Sequence, residues 1–171
     1  MHWNRTALRW ILAGGLLCGS AMAVQAIETG APAPPYEVRL LDGALFTPSQ
    51  AVGKVVMLHF WASWCVPCRA EMPAMEQYYR QHHGEGLELI AITVDDAADL
   101  EKARVIMRQF SFPAASIQDA KVKGYGRIWR IPLTFVIDRQ GRLRLDAWDG
   151  DASGITATAL DQAITPLLNE R

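Results

Sequence analysis

The chain has 171 residues, 50% of them apolar, 20% charged and 9% aromatic, which fits one globular domain and excludes a disordered chain. Seventeen Lys and Arg against 18 Asp and Glu leave a formal charge of -1, with no basic excess to neutralise a phosphate backbone, so no nucleic-acid partner is expected. Three cysteines are too few for a disulfide-stapled miniature fold, and 13 Gly with 9 Pro show no collagen-like or low-complexity bias.

Residues 1–26 read as a secretory signal. Arg5 and Arg9 precede an uncharged stretch, residues 11–24, that ends in Val24-Gln25-Ala26. The apolar run is shorter than the ~20 residues that cross a bilayer as a helix, so cleavage after Ala26, or alternatively after Ala23, is expected over a retained membrane tether. Cys18 follows Leu17, too large for the small residue that lipoprotein processing prefers, and no lipid anchor is expected. Cleavage removes Arg5, Arg9, Cys18 and no acid, leaving 15 basic and 18 acidic residues and two cysteines, Cys65 and Cys68. A soluble periplasmic protein follows, with 27–171 as its single domain, in a compartment where disulfides persist.

Residues 31–35 (Ala-Pro-Ala-Pro-Pro) form a stiff extended lead-in. Residues 36–41 and 44–46 flank Asp42-Gly43, a tight-turn dipeptide, and predict an opening hairpin. Residues 54–61 are nearly continuously apolar, as in a central strand covered on both faces. Helical spacing then runs from 66 to 83 and stops at Gly84 and Gly86, before a second buried strand at 87–94. Asp95-Asp96 is placed to begin the next helix, 98–110, whose apolar face includes Leu100, Ala103, Met107 and Phe110. Strands 133–137 and 142–146 about a turn at 138–141, and a closing helix at 155–168, complete the chain. Strands alternating with helices and then a hairpin predict an α/β fold, a mixed sheet with helices on both faces.

Cys65-Val66-Pro67-Cys68 falls where the buried strand meets the helix. Unpaired N–H groups and the positive end of the helix dipole stabilise a thiolate there, which makes Cys65 the nucleophile. Cys68, one turn further in, is placed to attack a mixed disulfide on Cys65 and release the partner. Pro67 fits a first helical turn, where its missing N–H costs little. A haem attachment site needs His after the second cysteine, where Arg69 stands. Zinc needs two further ligands, and the downstream histidines, His82 and His83, are adjacent rather than spaced. A purely structural bridge over so short a loop restrains the unfolded chain weakly.

Residues 60–73 (Phe-Trp-Ala-Ser-Trp-Cys-Val-Pro-Cys-Arg-Ala-Glu-Met-Pro) and 131–138 (Ile-Pro-Leu-Thr-Phe-Val-Ile-Asp) resemble the thioredoxin-fold TlpA/ResA group of exported thiol-disulfide reductases. The resemblance implies a thioredoxin fold with an added N-terminal β-hairpin and a central insertion at about 95–124. It implies a cis bond between Ile131 and Pro132 that faces the cysteines, with Ile131 offering backbone groups to an extended client segment. It places a functional acid at Glu71, which shares a helical face with Cys68 and is suited to exchange its proton; a solvent-facing helix glutamate is the alternative. No bound cofactor or metal is implied. The implied partners are client proteins with disulfides, apocytochrome c during cytochrome c maturation among them, and a membrane thiol-disulfide reductase as electron source. An oxidase or isomerase, and a copper- or zinc-holding thiol module, are the competing functions.

Four positions are less settled by the resemblance. Alternation along 54–61 puts His59 on one face with Val55, Met57 and Trp61, where thioredoxins keep a buried acid. A neutral imidazole there suits proton shuttling, an imidazolium suits a more oxidising protein, and a buried histidine with satisfied hydrogen bonds suits neither. Trp64 is expected to shield the pair and meet clients, whereas Trp61 is expected in the core. Trp129 and Arg130 replace the small residues often found before the Ile-Pro pair.

Overall fold

The computed structural model describes residues 28–148, 150 and 154–170. The proposed signal segment, 1–26, lies outside the described residues. Seven strands and three α-helices follow the chain as β1 (Glu37–Leu40), β2 (Leu45–Phe46), β3 (Val55–Trp61), α1 (Val66–His82), β4 (Leu87–Thr93), α2 (Leu100–Met107), β5 (Ala114–Lys121), β6 (Leu133–Ile137), β7 (Leu143–Trp148) and α3 (Ala157–Asn169). Single 3-10 turns at His83–Glu85 and Lys123–Tyr125 complete the list.

One mixed sheet runs in the order β2-β1-β5-β4-β3-β6-β7. Strand β3 lies parallel to β4 and antiparallel to β6, and every residue of β3 and β4 is buried, as their nearly continuous apolar runs predict. Alternation divides the core in two. Val55, Met57, Trp61, Leu87 and Leu89 pack with Met72 and Met75 of α1, Ala103 and Met107 of α2, and Leu160 and Ile164 of α3. Val56, Leu58, Phe60, Ile90 and Ile92 point the other way, to Tyr36, Phe46, Ala51 and Tyr125. The sequence pattern predicts helices on both faces, but all three α-helices bury on one face; the 3-10 turn at Lys123–Tyr125 and the segment around the opening hairpin cover the other. Successive right-handed crossovers place α1 and α2 on the same side.

The opening hairpin forms as expected, with Val38 opposite Phe46, and β1 joins the sheet through β5. The lead-in is more than a spacer: Pro32 bridges Arg142, and Ala31 accepts the Leu143 N–H. In the central insertion the helix is shorter than its apolar pattern suggests, 100–107 rather than 98–110. Strand β5, which no alternation announces, inserts between β4 and β1. Helix α1 keeps its apolar rows at Cys68, Met72, Met75 and Tyr79, runs on through Pro73 and ends at His82; the 3-10 turn that follows is capped by Gly86, whose φ of 98° only glycine adopts readily.

Candidate active site

The end of β3 turns into α1 within four residues. The Cys65 N–H donates to the Ala62 carbonyl at 3.0 Å, closing a turn with Ser63 and Trp64 at its corners. Cys65 is the N-cap of α1, with φ -81° and ψ 100°, and its Sγ accepts the Cys68 N–H at 3.3 Å. Sulfur thus takes the place an oxygen fills at an ordinary N-cap, at the positive end of a 17-residue helix. Cys65 and Cys68 are joined as a disulfide, with Cα atoms 5.4 Å apart.

Exposure around the pair is uneven. Cys65 is 4% exposed and Cys68 not at all, while Trp64 and Val66 are 64% and 65% exposed. Pro67 is also exposed, as its first-turn place allows. Of the two cysteines only Cys65 keeps any exposure, and its chain neighbours Trp64 and Val66 are exposed apolar side chains. Trp61 is fully buried, and Trp129, just ahead of Ile131, is 78% exposed. The Ile131-Pro132 bond is cis, at the start of β6, and both residues are half-buried. Among the described residues no group of three or more His, Cys, Asp or Glu is placed to hold a metal ion.

Glu71 is 7% exposed, so the solvent-facing alternative does not hold. Its Oε1 accepts the Ile155 N–H at 3.2 Å, tying α1 to the segment ahead of α3. Gly154 lies against the same oxygen: a Cβ there would stand 2.8 Å from Oε1. Pro67, Ala70, Glu71, Gly154 and Ile155 line an open cleft of about 510 Å³ beside the first turns of α1.

His59 is fully buried opposite Thr134, and its Nδ1 shares a hydrogen bond with the Thr134 hydroxyl at 2.9 Å. Its Nε2 has no hydrogen-bond partner among the described residues. Burial pushes its pKa down to about 4, so the ring is neutral at neutral pH.

Asp95 corrects an expectation. It does not cap the middle helix; the N-cap of α2 is Asp99, without a side-chain bond, and Asp96 Oδ1 accepts the Asp99 N–H at 3.0 Å. Asp95 instead turns toward the cysteine loop. Its Oδ2 accepts the Ser63 N–H and its Oδ1 the Ser63 hydroxyl, both at 2.8 Å, and Oδ2 also accepts the Thr93 hydroxyl. Ser63 and Thr134 lie within the two motifs and Asp95 outside them, but the Ser63–Asp95 and His59–Thr134 pairings join residues distant in sequence and are not legible there. Their one visible signal is a polar residue inside an apolar strand or two residues past its end.

Residues 29–145 match the AhpC/TSA family. Thiol-disulfide oxidoreductase ResA of Bacillus thuringiensis subsp. konkukian is 35% identical over 118 residues, covering 68% of each chain. Thioredoxin-like protein YneN of Bacillus subtilis is 32% identical over 117 residues, covering 67% of this chain and 68% of that one. A crystal structure of a thiol:disulfide interchange protein of the thioredoxin family from Chlorobium tepidum superposes with a TM-score of 0.68 at 26% identity, over 84% of this chain and all of that one. The disulfide at a helix N-cap, the cis Ile131-Pro132 bond and these matches agree: the chain belongs to the AhpC/TSA family of thioredoxin-fold proteins, among its ResA-type thiol-disulfide oxidoreductases.

Proposed function

We propose that this oxidoreductase works outside the cytoplasm as a reductase of disulfides in client proteins. The observation that carries the proposal is the Cys65 sulfur seated at the N-cap of α1 and bonded to Cys68. In the dithiol form, the Cys65 thiolate attacks one sulfur of a client disulfide. A mixed disulfide forms and one client thiolate leaves. The Cys68 thiolate then attacks Cys65 Sγ, restoring the internal disulfide and releasing the second client thiolate. Two electrons pass to the client, and a membrane thiol-disulfide reductase returns them.

Glu71 takes the proton from Cys68 in the second step, from a carboxylate already fixed by Ile155. Trp64, Pro67, Ile131 and Pro132 form the surface on which an extended client segment lies. A neutral His59 supports the reducing direction, because an imidazolium below the pair would favour thiolate and make the protein more oxidising. The Arg5 to Ala26 pattern supports export, and apocytochrome c is the client to test first.

Equilibration with glutathione decides the direction: a strongly reducing midpoint is expected, and a midpoint near that of a disulfide oxidase would overturn the reductase assignment. Covalent trapping on Cys68→Ala in cells is expected to hold clients on Cys65. Stoichiometric copper or zinc in the isolated protein, with insulin reduction no faster than in Cys65→Ser, would favour the metal module instead.

A further inference from the structure

We propose that Asp95 is a positioning residue for the Cys65 nucleophile, acting through Ser63. The proposal rests on the oxidoreductase function and adds a residue outside its cysteine, glutamate and proline set. Asp95 is 1% exposed and stands two residues past the end of β4, the strand beside the one that leads to the cysteines. The β3–β4 ladder ends at Trp61 opposite Thr93 and is extended by the Val94 N–H donating to the Trp61 carbonyl at 2.8 Å. Asp95 carries the connection one step further, across to the turn itself.

Ser63 is the first corner of the turn that delivers Cys65, and Asp95 holds both its N–H and its hydroxyl at 2.8 Å. The carboxylate is itself fixed by the Thr93 hydroxyl, and the Asp95 backbone N–H donates back to Thr93 Oγ1 at 3.2 Å. Without this clamp, the bond left across the turn among the described residues is the one from the Cys65 N–H to the Ala62 carbonyl. A turn free to swing would carry the Cys65 sulfur away from the first-turn N–H groups that stabilise its thiolate. Fixing a reacting group by hydrogen bonds to a rigid strand end is the ordinary means of preorganisation.

Geometry and charge make opposite predictions here. A buried carboxylate near a thiolate disfavours it, so a purely electrostatic role would make Cys65 more reactive once the charge is removed. A positioning role makes it less reactive when the hydrogen bonds go, and indifferent when an amide replaces the carboxylate. Asparagine at 95 retains an oxygen for the Ser63 N–H and the Thr93 hydroxyl, and its NH₂ can donate to Ser63 Oγ.

The test follows iodoacetamide modification of Cys65 by peptide mass, in the reduced full-length protein at pH 7, well below the unfolding temperature. Asp95→Ala is expected to slow alkylation about fivefold, the scale of a lost helix-terminus interaction. Ser63→Ala, which keeps the N–H bond, is expected to slow it about twofold, and Asp95→Asn to match wild type. Faster alkylation in Asp95→Asn would overturn the proposal in favour of charge. Wild-type alkylation in Asp95→Ala with a lowered Tm would overturn it in favour of a structural strut. If Asp95→Ala does not fold, Asp95→Asn and Ser63→Ala still decide: wild-type rates in both would overturn the proposal. An unreactive Cys65 in the wild type would instead count against the oxidoreductase function itself.

Discussion

His59 on β3 and Thr134 on β6 share a hydrogen bond of 2.9 Å between strands that are otherwise apolar on the helix-bearing face of the sheet. The bond satisfies one ring nitrogen and leaves Nε2 without a partner among the described residues. A fully buried ring so placed resists protonation, and its pKa falls to about 4 through loss of solvation.

This sets a pH dependence of stability with a definite sign. The unfolded chain takes up a proton at His59 near the ordinary value of about 6.5, whereas the folded chain does so only near 4. Above the unfolded value the ring is neutral in both states and contributes nothing. As pH falls from about 6.5 to 4, the unfolded state gains the proton first, and the folding free energy drops by up to ~3 kcal/mol. Urea titrations at pH 7 and pH 4.5 should show most of this loss in the wild type and much less in His59→Asn. Equal losses in the two proteins would rule out the histidine as the cause.

Glu71 has a structural bond to Ile155 and a proposed proton-transfer role, which substitution can separate. Glu71→Ala removes the acceptor for the Ile155 N–H and should cost about 1 kcal/mol of stability. Glu71→Gln keeps an acceptor oxygen but no proton-accepting carboxylate. It should unfold like wild type, yet reduce client disulfides about a hundredfold more slowly. Wild-type turnover in Glu71→Gln would confine Glu71 to holding α1 against the segment before α3.

Gly154 tests the same contact from the other side. Its φ of 81° and the 2.8 Å between an added Cβ and Glu71 Oε1 make alanine unfavourable on two counts. Gly154→Ala should cost about 1–3 kcal/mol, and combining it with Glu71→Ala should cost less than the sum of the single changes, because the clash is gone. Strict additivity in urea unfolding would mean that only the backbone strain matters.

Much of this architecture is legible in the sequence wherever one local pattern decides an element. The apolar runs of β3 and β4, Asp42-Gly43 between the hairpin strands, and the rows of Cys68, Met72, Met75 and Tyr79 each specify structure without distant information. Strand β5 is not legible, because Gln118, Asp119 and Lys121 interrupt any alternation and its ladder to β4 is only three pairs long. Its conformation comes from the neighbours on either side. The site divides in the same way. Cys65 and Cys68 stand out by spacing, and the cis Pro132 by its motif. Asp95 looks like a helix cap until the fold brings Ser63, 32 residues away, within 2.8 Å.

Arg139 illustrates the same limit at the far end of the strands, and its role can be measured. It follows β6 in a segment that reads only as a turn, yet its guanidinium donates to three carbonyls, those of Gly53, Glu85 and Leu168. These precede β3, precede β4 and close α3, so one planar fork ties three chain segments together. The fork lies beside the starts of β3 and β4, about 20 Å along the strands from the turn that carries Cys65. Arg139→Ala should therefore lower stability by about 3 kcal/mol and Tm by roughly 10 °C, while insulin reduction at 25 °C stays at the wild-type rate. Arg139→Lys should recover only part of the loss, because an ammonium lacks the fork that serves all three acceptors. An unchanged Tm in Arg139→Ala would show that water replaces the guanidinium at these carbonyls without cost.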